Sequence, residues 1–346
     1  MAEPRTLLVI AGEFPPLKTI GRIRTVKFVE HLRRFGWRCI VVTLQPSGRE
    51  GNYDEALMAE IVDGDEIIRL PLRNLEVEIA DTVKRLLGRK PAAPAPVAAA
   101  PATKPAPAAT RAPVAQSGGG LMDKAHGMIR WVLRTLVNVP DDFRPWAQDA
   151  LKVCRALCAE RQIDAIYTTL PPFSSLHVGH ELRKETGLPW IADYRDLWYG
   201  DVLREWMPEW RKKMEFRMER RLLRRADVIV TVSEPKTAYM QRLHPQLKAR
   251  WETLTNGYDT ELYGSRQRTR PFNGDTIEFI YTGRLFKNRK GYAFAEALGR
   301  IHRSDPALAG RARVRIIGGV EPEIQRRYDQ IIAEYGEDSI QARIEV

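Results

Sequence analysis

The sequence predicts an α/β protein with two doubly wound, mainly parallel sheets, the second of them incomplete. Three observations predict it. Short apolar runs alternate with helical periodicity along most of the chain. Its 346 residues exceed the usual size of one core, which favours two domains. The alternation restarts at Ile277 and stops after roughly half of an ordinary doubly wound domain.

The first strand is the continuous apolar run Thr6 to Ala11, closed by Gly12, the pattern of a buried parallel strand. A loop, Glu13 to Gly21, leads into a helix whose Val26, Val29, Leu32 and Phe35 recur at helical spacing before Gly36 stops it. Arg38 to Leu44 resumes as a strand. Glu66–Leu70, Ala165–Thr169, Pro189–Asp193 and Val228–Val232 continue the set, with helical stretches between several of them. In the second domain the expectation is strand 277–282, helix 291–302, strand 314–317, helix 321–335 and a last strand over 342–346. The boundaries that follow are 1–270 and 271–346.

Residues 90–120 are rich in Pro and Ala and run into Gly118-Gly119-Gly120, too poor in large apolar groups to order themselves. They read as a disordered insertion within the first domain. Beyond them, Leu121, Met122, Ala125, Met128, Ile129, Val132, Leu133, Leu136 and Val137 share an apolar helix face, suited to a core or to a membrane interface. A second basic, aromatic stretch, Arg204 to Arg225, reads as a helix with a core stripe through Met214, Met218 and Leu222 and a positive face. That face is either plainly solvated or in contact with anionic lipid or a phosphorylated acceptor.

Fifty-five Lys and Arg against 44 Asp and Glu leave a net charge of +11. No zinc-finger spacing, RNP-like aromatic pattern or basic heptad run supports a nucleic-acid partner. The three cysteines, Cys39, Cys154 and Cys158, cannot pair evenly and fit core positions in a reducing cytoplasm. Met1 to Arg5 is polar and short and Thr6 to Ala11 too brief for a signal-peptide core or a membrane span, so the protein is expected inside the cell.

Candidate chemistry gathers at predicted strand ends. Phe14-Pro15-Pro16 with Gly21 and Arg24 gives a rigid turn before a helix start, either an anion site or an ordinary βα turn. Asp193, Arg195 and Asp196 follow a predicted strand, with Tyr194 and Trp198 interleaved. They suit either an acceptor hydroxyl and its proton or a salt-bridged turn. His177 and His180 are three apart but have no evident third ligand, so no metal site is expected.

These segments, taken in order, resemble a bacterial branch of the family 4 glycosyltransferases, of GT-B-like fold with two Rossmann-like domains. The residues that carry the resemblance are Phe14-Pro15-Pro16 with Gly21 and Arg24, Thr168 to Ser175, Pro189 to Trp198, Ala226 to Ser233, Thr255-Asn256-Gly257-Tyr258-Asp259 and Tyr281 to Gly291. The resemblance implies a transfer of sugar from a nucleotide-sugar donor to a saccharide or lipid-linked acceptor in envelope or exopolysaccharide assembly. It implies retention of the anomeric configuration, no metal and no separate cofactor. Gly21, Arg24, Asn256, Arg284 and Lys290 would bind substrate, with Gly21, Arg284 and Lys290 at the donor phosphates; Asp193, Arg195 and Asp196 would be catalytic, the two carboxylates addressing the acceptor. The loop before Gly291 is one residue longer than the family spacing, so Arg289 competes with Lys290.

Family members carry an E-x7-E element in the later half of the second domain, which contacts the donor ribose and sugar. The sequence stops short of it, so the second domain is expected to be truncated. Two alternatives stay open: a non-catalytic relative acting as a scaffold, and a nucleotide-sugar epimerase of the same architecture. The expected setting is cytoplasmic, with peripheral contact at the inner face of an anionic membrane.

Overall fold

The computed structural model describes residues 4–46, 53–61, 64–73, 139–201, 204–258, 276–286, 289–335 and 344–345. The chain divides into two units, Met1–Gly257 and Tyr258–Val346. The Pro/Ala-rich stretch at 90–120 and the apolar helix expected over 121–137 lie outside the described residues.

The first unit is built on seven strands: β1 (Arg5–Ala11), β2 (Trp37–Gln45), β3 (Glu66–Pro71), β4 (Ala165–Leu170), β5 (Trp190–Tyr194), β6 (Val228–Thr231) and β7 (Arg250–Thr253). Every pairing among them is parallel. Across the sheet the order is β3-β2-β1-β4-β5-β6-β7. The direction of winding reverses between β1 and β4, which opens a crevice at their carboxyl ends.

Side-chain alternation along the strands feeds two cores. Leu8, Ile10, Ile40, Val42, Ile166 and Trp190 point to one face. That face is covered by α2 (Arg144–Glu160), α3 (Ser175–Thr186), α4 (Glu209–Leu223) and α5 (Glu234–Leu243). Leu7, Val9, Cys39, Val41 and Tyr167 point to the other face, where α1 (Ile20–Leu32) packs through Val26 and Val29. A 3-10 turn, Arg33–Phe35, ends α1, and Gly36 at φ 75° reverses the chain into β2. That left-handed backbone favours glycine.

Helix α4 departs from the expected stripe. Its fully buried positions are Arg211, Glu215, Glu219, Leu222 and Leu223, while Met214 and Met218 are half-buried. The buried charges are compensated from elsewhere in the chain. Glu215 accepts from Arg204 Nη2 at 2.7 Å, Arg211 Nε at 2.6 Å and Trp198 Nε1 at 2.9 Å. Glu219 accepts from Tyr194 Oη at 3.0 Å and lies 3.5 Å from His244 Nε2. Burial pushes the Glu219 pKa up, against the lowering effect of His244 and Tyr194.

On α3, His180 Nδ1 donates to the Leu222 carbonyl at 2.9 Å, and His177 lies within the electrostatic reach of the Arg144 guanidinium. Burial, then Arg144, lowers the His177 pKa to about 4. A neutral native imidazole gives stability that is present above the ordinary value of 6.5 and lost as pH falls through the window down to about 4. The first unit is therefore expected to lose more stability between pH 6.5 and 4 than a His177→Gln variant does. All eight tryptophans of the sequence precede Tyr258, so urea unfolding followed by tryptophan fluorescence reads the first unit. Equal losses in the two proteins would contradict the assignment.

Cys39 and Cys154 are buried and Cys158 is half-buried, all as free thiols. Burial raises the pKa of each, which makes them core groups and not nucleophiles.

The second unit runs β8 (Ile277–Thr282), α6 (Tyr292–Ser304), α7 (Pro306–Arg311), β9 (Ala312–Ile317), α8 (Pro322–Tyr335) and β10 (Ile344–Glu345). Its parallel sheet has the order β10-β9-β8. Leu285, Leu298, Val314, Ile316, Tyr328 and Ile331 form its core. The short α7, not foreseen, starts where the Asp305 carboxylate accepts from Leu308 N–H at 2.9 Å.

Candidate functional site

The carboxyl ends of β1, β4, β5, β6 and β7 bring together segments far apart in sequence. Gly12 and Glu13 leave β1, Pro171 to Ser174 leave β4, and Arg195 and Asp196 leave β5. Asp141 fixes the second of these loops, accepting from Ser174 N–H at 3.1 Å and Ser174 Oγ at 2.6 Å. Burial raises its pKa, and the hydrogen bonds from Ser174 and Phe143 oppose that rise.

Strand alternation turns Asp193 toward α1, and there it is fully engaged. Arg24 clasps it in two parallel bonds, Nε to Oδ2 at 2.8 Å and Nη2 to Oδ1 at 2.9 Å. Tyr167 Oη donates to Oδ2 at 2.5 Å. The remaining Arg24 nitrogen, Nη1, donates to Leu254 O at 2.8 Å, Thr255 O at 3.4 Å and Asn256 Oδ1 at 3.2 Å. Asp193 is buried and the Arg24 side chain is only 9% exposed. Burial works to lower the Arg24 pKa, but Asp193 and Tyr167 outweigh it and leave it raised. Arg24 thus binds two other residues expected to meet substrate, Asp193 and Asn256, and joins the end of β5 to the segment after β7.

Arg195 is also nearly buried. Its Nη1 donates to Glu13 Oε2 at 2.7 Å, and its Nη2 donates to the Pro171 carbonyl. This bridge spans the switch point from the end of β1 to the ends of β4 and β5. It passes directly over Gly21: a Cβ there would lie 1.5 Å from Arg195 Nη1 and 1.8 Å from Glu13 Oε2. Glycine at the start of α1 is what lets the ion pair form.

Asp196 is the open carboxylate of the group, 64% exposed, with Lys236 Nζ 3.6 Å away. Lys236, in the first turn of α5, also donates to the Arg195 carbonyl at 2.7 Å. Glu13, Tyr167 and Lys236 were not foreseen as members of this cluster. Position immediately after the glycine that closes β1 was a usable signal for Glu13. Nothing local marks the other two.

In the second unit, Arg284 and Lys290 sit in the loop from β8 to the N-terminus of α6, with Arg289 beside them. All three side chains are exposed. Arg284 approaches Glu321 at 3.5 Å while 60% exposed, a pair that costs little to replace. Arg284 and Arg289 lie over the Phe286 ring, and Lys290 over that of Tyr292. The loop is held by Leu285 N–H on Gly319 O at 2.9 Å and by Tyr328 Oη on Gly291 O at 2.5 Å. Exposed cations in a loop that leads into a helix N-terminus are of the chemistry that suits an anion. Among the described residues, no cluster of His, Cys, Asp or Glu could hold a metal ion.

Solved structures of the same fold include sucrose-phosphate synthase from Thermosynechococcus elongatus, at 16% identity over 98% of this chain and 69% of that one, TM-score 0.53. An α,α-trehalose-phosphate synthase (UDP-forming) from Burkholderia vietnamiensis matches at 12% identity over 99% and 72%, TM-score 0.51. A trehalose-6-phosphate structure from E. coli, bound with UDP-2-fluoro glucose, matches at 10% over 98% and 72%, TM-score 0.52. At these identities the likeness speaks for the fold, that of the GT-B glycosyltransferases with their Rossmann-like domains. No curated protein matches the chain. The profile of the glycosyl transferase 4-like domain matches residues 21–257, from the glycine beneath the Arg195–Glu13 bridge to the end of the first unit. The chain therefore belongs to the glycosyl transferase 4-like family and is a glycosyltransferase.

Proposed function

We propose that the chain transfers a sugar from a nucleotide-sugar donor to a saccharide or lipid-linked acceptor in envelope or exopolysaccharide assembly. The observation that carries this reading is the exposed cation group, Arg284, Arg289 and Lys290, at the start of α6. As the glycosidic bond breaks, negative charge grows on the departing diphosphate, and fixed cations and helix N–H groups stabilise it. Cations in that role suit a transfer without a metal ion, and family membership favours retention at the anomeric carbon. The E. coli neighbour bound to UDP-2-fluoro glucose adds support for a nucleotide-sugar donor.

On the acceptor side the reading assigns Glu13 and Asp196. Glu13 has one oxygen on Arg195, and no hydrogen bond to a described residue reaches Oε1. Asp196 is solvent-facing. Both suit hydrogen bonding to acceptor hydroxyls at the crevice. Trp206 and Trp210, exposed beside the basic flank of α4, fit a peripheral contact with an anionic membrane from the cytoplasmic side.

Calorimetry of the full chain against UDP, GDP and ADP tests the donor assignment. One of the three is expected to bind, and Arg284→Gln or Lys290→Gln each to weaken it about tenfold. If only Arg289→Gln weakens binding, the second cation is Arg289. If no nucleotide binds, or no variant changes the affinity, the donor assignment fails.

A further inference from the structure

At the edge of the first sheet opposite the crevice, the amino ends of β6 and β7 border a pocket of about 460 Å³. It is lined by Arg183, Arg224, Arg225, Asp227 and Lys248 with two alanines, four cations against one carboxylate. The carboxylate is already engaged: Asp227 Oδ2 and Oδ1 take Arg183 Nε and Nη2, each at 2.9 Å, and Oδ2 also accepts Trp190 N–H at 2.8 Å. Arg183 is further held by the Gly187 carbonyl. The side chains of Arg224, Arg225 and Lys248 make no hydrogen bond or ion pair with any described residue. Three uncompensated cations converge on one concavity whose fourth cation is held in place.

We propose that this pocket is a second anion site, distinct from the transfer crevice, for a ligand carrying two or more phosphate groups. The concavity is open to solvent, and the exposed side chains of Arg224, Arg225 and Lys248 leave their charged groups accessible to a ligand. Two adjacent arginines and a lysine supply the forked and point-charge donors that phosphate oxygens take up. Scattered surface cations repel one another and spread apart, whereas these are brought together by the ends of α3 and α4 and the segment leading into β7. The shared chemistry is phosphate, from a soluble polyphosphorylated molecule or from a lipid headgroup.

The test uses the full chain carrying Arg284→Gln, Arg289→Gln and Lys290→Gln, which silences the proposed donor site. Inorganic pyrophosphate is titrated by calorimetry in one arm. Vesicles of phosphatidylglycerol in phosphatidylcholine are sedimented with the protein in the other. In this background the set Arg224→Gln, Arg225→Gln, Lys248→Gln is compared with Arg34→Gln, Arg38→Gln, Arg242→Gln, which removes equal charge from exposed positions outside the pocket. Lys248→Glu alone serves as a milder second variant. The pocket set is expected to weaken binding about tenfold or more, and the control set less than about twofold. Loss with pyrophosphate alone identifies a soluble ligand, and loss with vesicles identifies a headgroup. If neither probe binds, or the two sets weaken binding equally, the proposal is overturned.

Discussion

Asp193→Ala is expected to lower the stability of the first unit by about 3–5 kcal/mol, the usual cost of stranding one partner of a buried ion pair. The variant leaves the Arg24 guanidinium inside the protein without its two parallel bonds and removes the acceptor of Tyr167 Oη. Tryptophan fluorescence in urea measures the change. The double variant Arg24→Met/Asp193→Leu, which removes both charges and keeps volume, is expected to regain most of the loss. A loss below about 1 kcal/mol in Asp193→Ala would instead make the pair equivalent to an exposed salt bridge and return Asp193 to the list of substrate-facing groups.

Gly21→Ala is expected to act on turnover and only weakly on folding. A methyl group cannot share space with Arg195 Nη1 and Glu13 Oε2, so the bridge across the switch point must open. The displaced atoms are side-chain ends near the crevice, so the cost in stability is small. Under the proposed acceptor assignment of Glu13 those ends meet the substrate, and misplacement by about 1 Å costs on the order of 100-fold in kcat/KM. The measurement is steady-state transfer beside a urea midpoint. An unchanged rate would show that the bridge is no part of the working site. Glu13→Gln separates the two roles of that carboxylate, because it keeps a hydrogen bond to Arg195 while removing the charge offered to the acceptor.

The architecture was largely legible because parallel strands buried on both faces read as continuous apolar runs, as in Leu7 to Ala11 and Cys39 to Leu44. Strand β7 was not. Its Arg-Trp-Glu-Thr sequence lies at the sheet edge, half exposed, and carries no apolar run. The stripe of α4 had the right period, but Met214 and Met218 lie at the margin of the buried face and not at its centre. Periodicity counts apolar residues, and here only Leu222 of the expected stripe is on the buried face, beside Leu223 and the charged Arg211, Glu215 and Glu219, which Trp198, Tyr194 and Arg204 from other segments admit.

The crevice shows the same division. Motif order and strand ends located Gly21, Arg24, Asp193, Arg195 and Asp196 at one edge. Sequence could not say that Arg24 and Asp193 would occupy each other, nor that Glu13 would take Arg195 from 182 residues away. Such partnerships are set by the strand order, which brings β5 within reach of the loop after β1 only through β4.

The bonds from Arg24 to Leu254 and Asn256 span 230 and 232 residues. On a ribosome adding about 5–20 residues per second, Arg24 emerges roughly 10–50 s before its last partners exist. Through that interval α1 cannot be locked to the end of the sheet, and Asp193, made about 170 residues after Arg24, joins it first. The clasp therefore closes as a late step of vectorial synthesis. A nascent chain arrested before Leu254 should remain open to protease around α1, while one released beyond Gly257 should not.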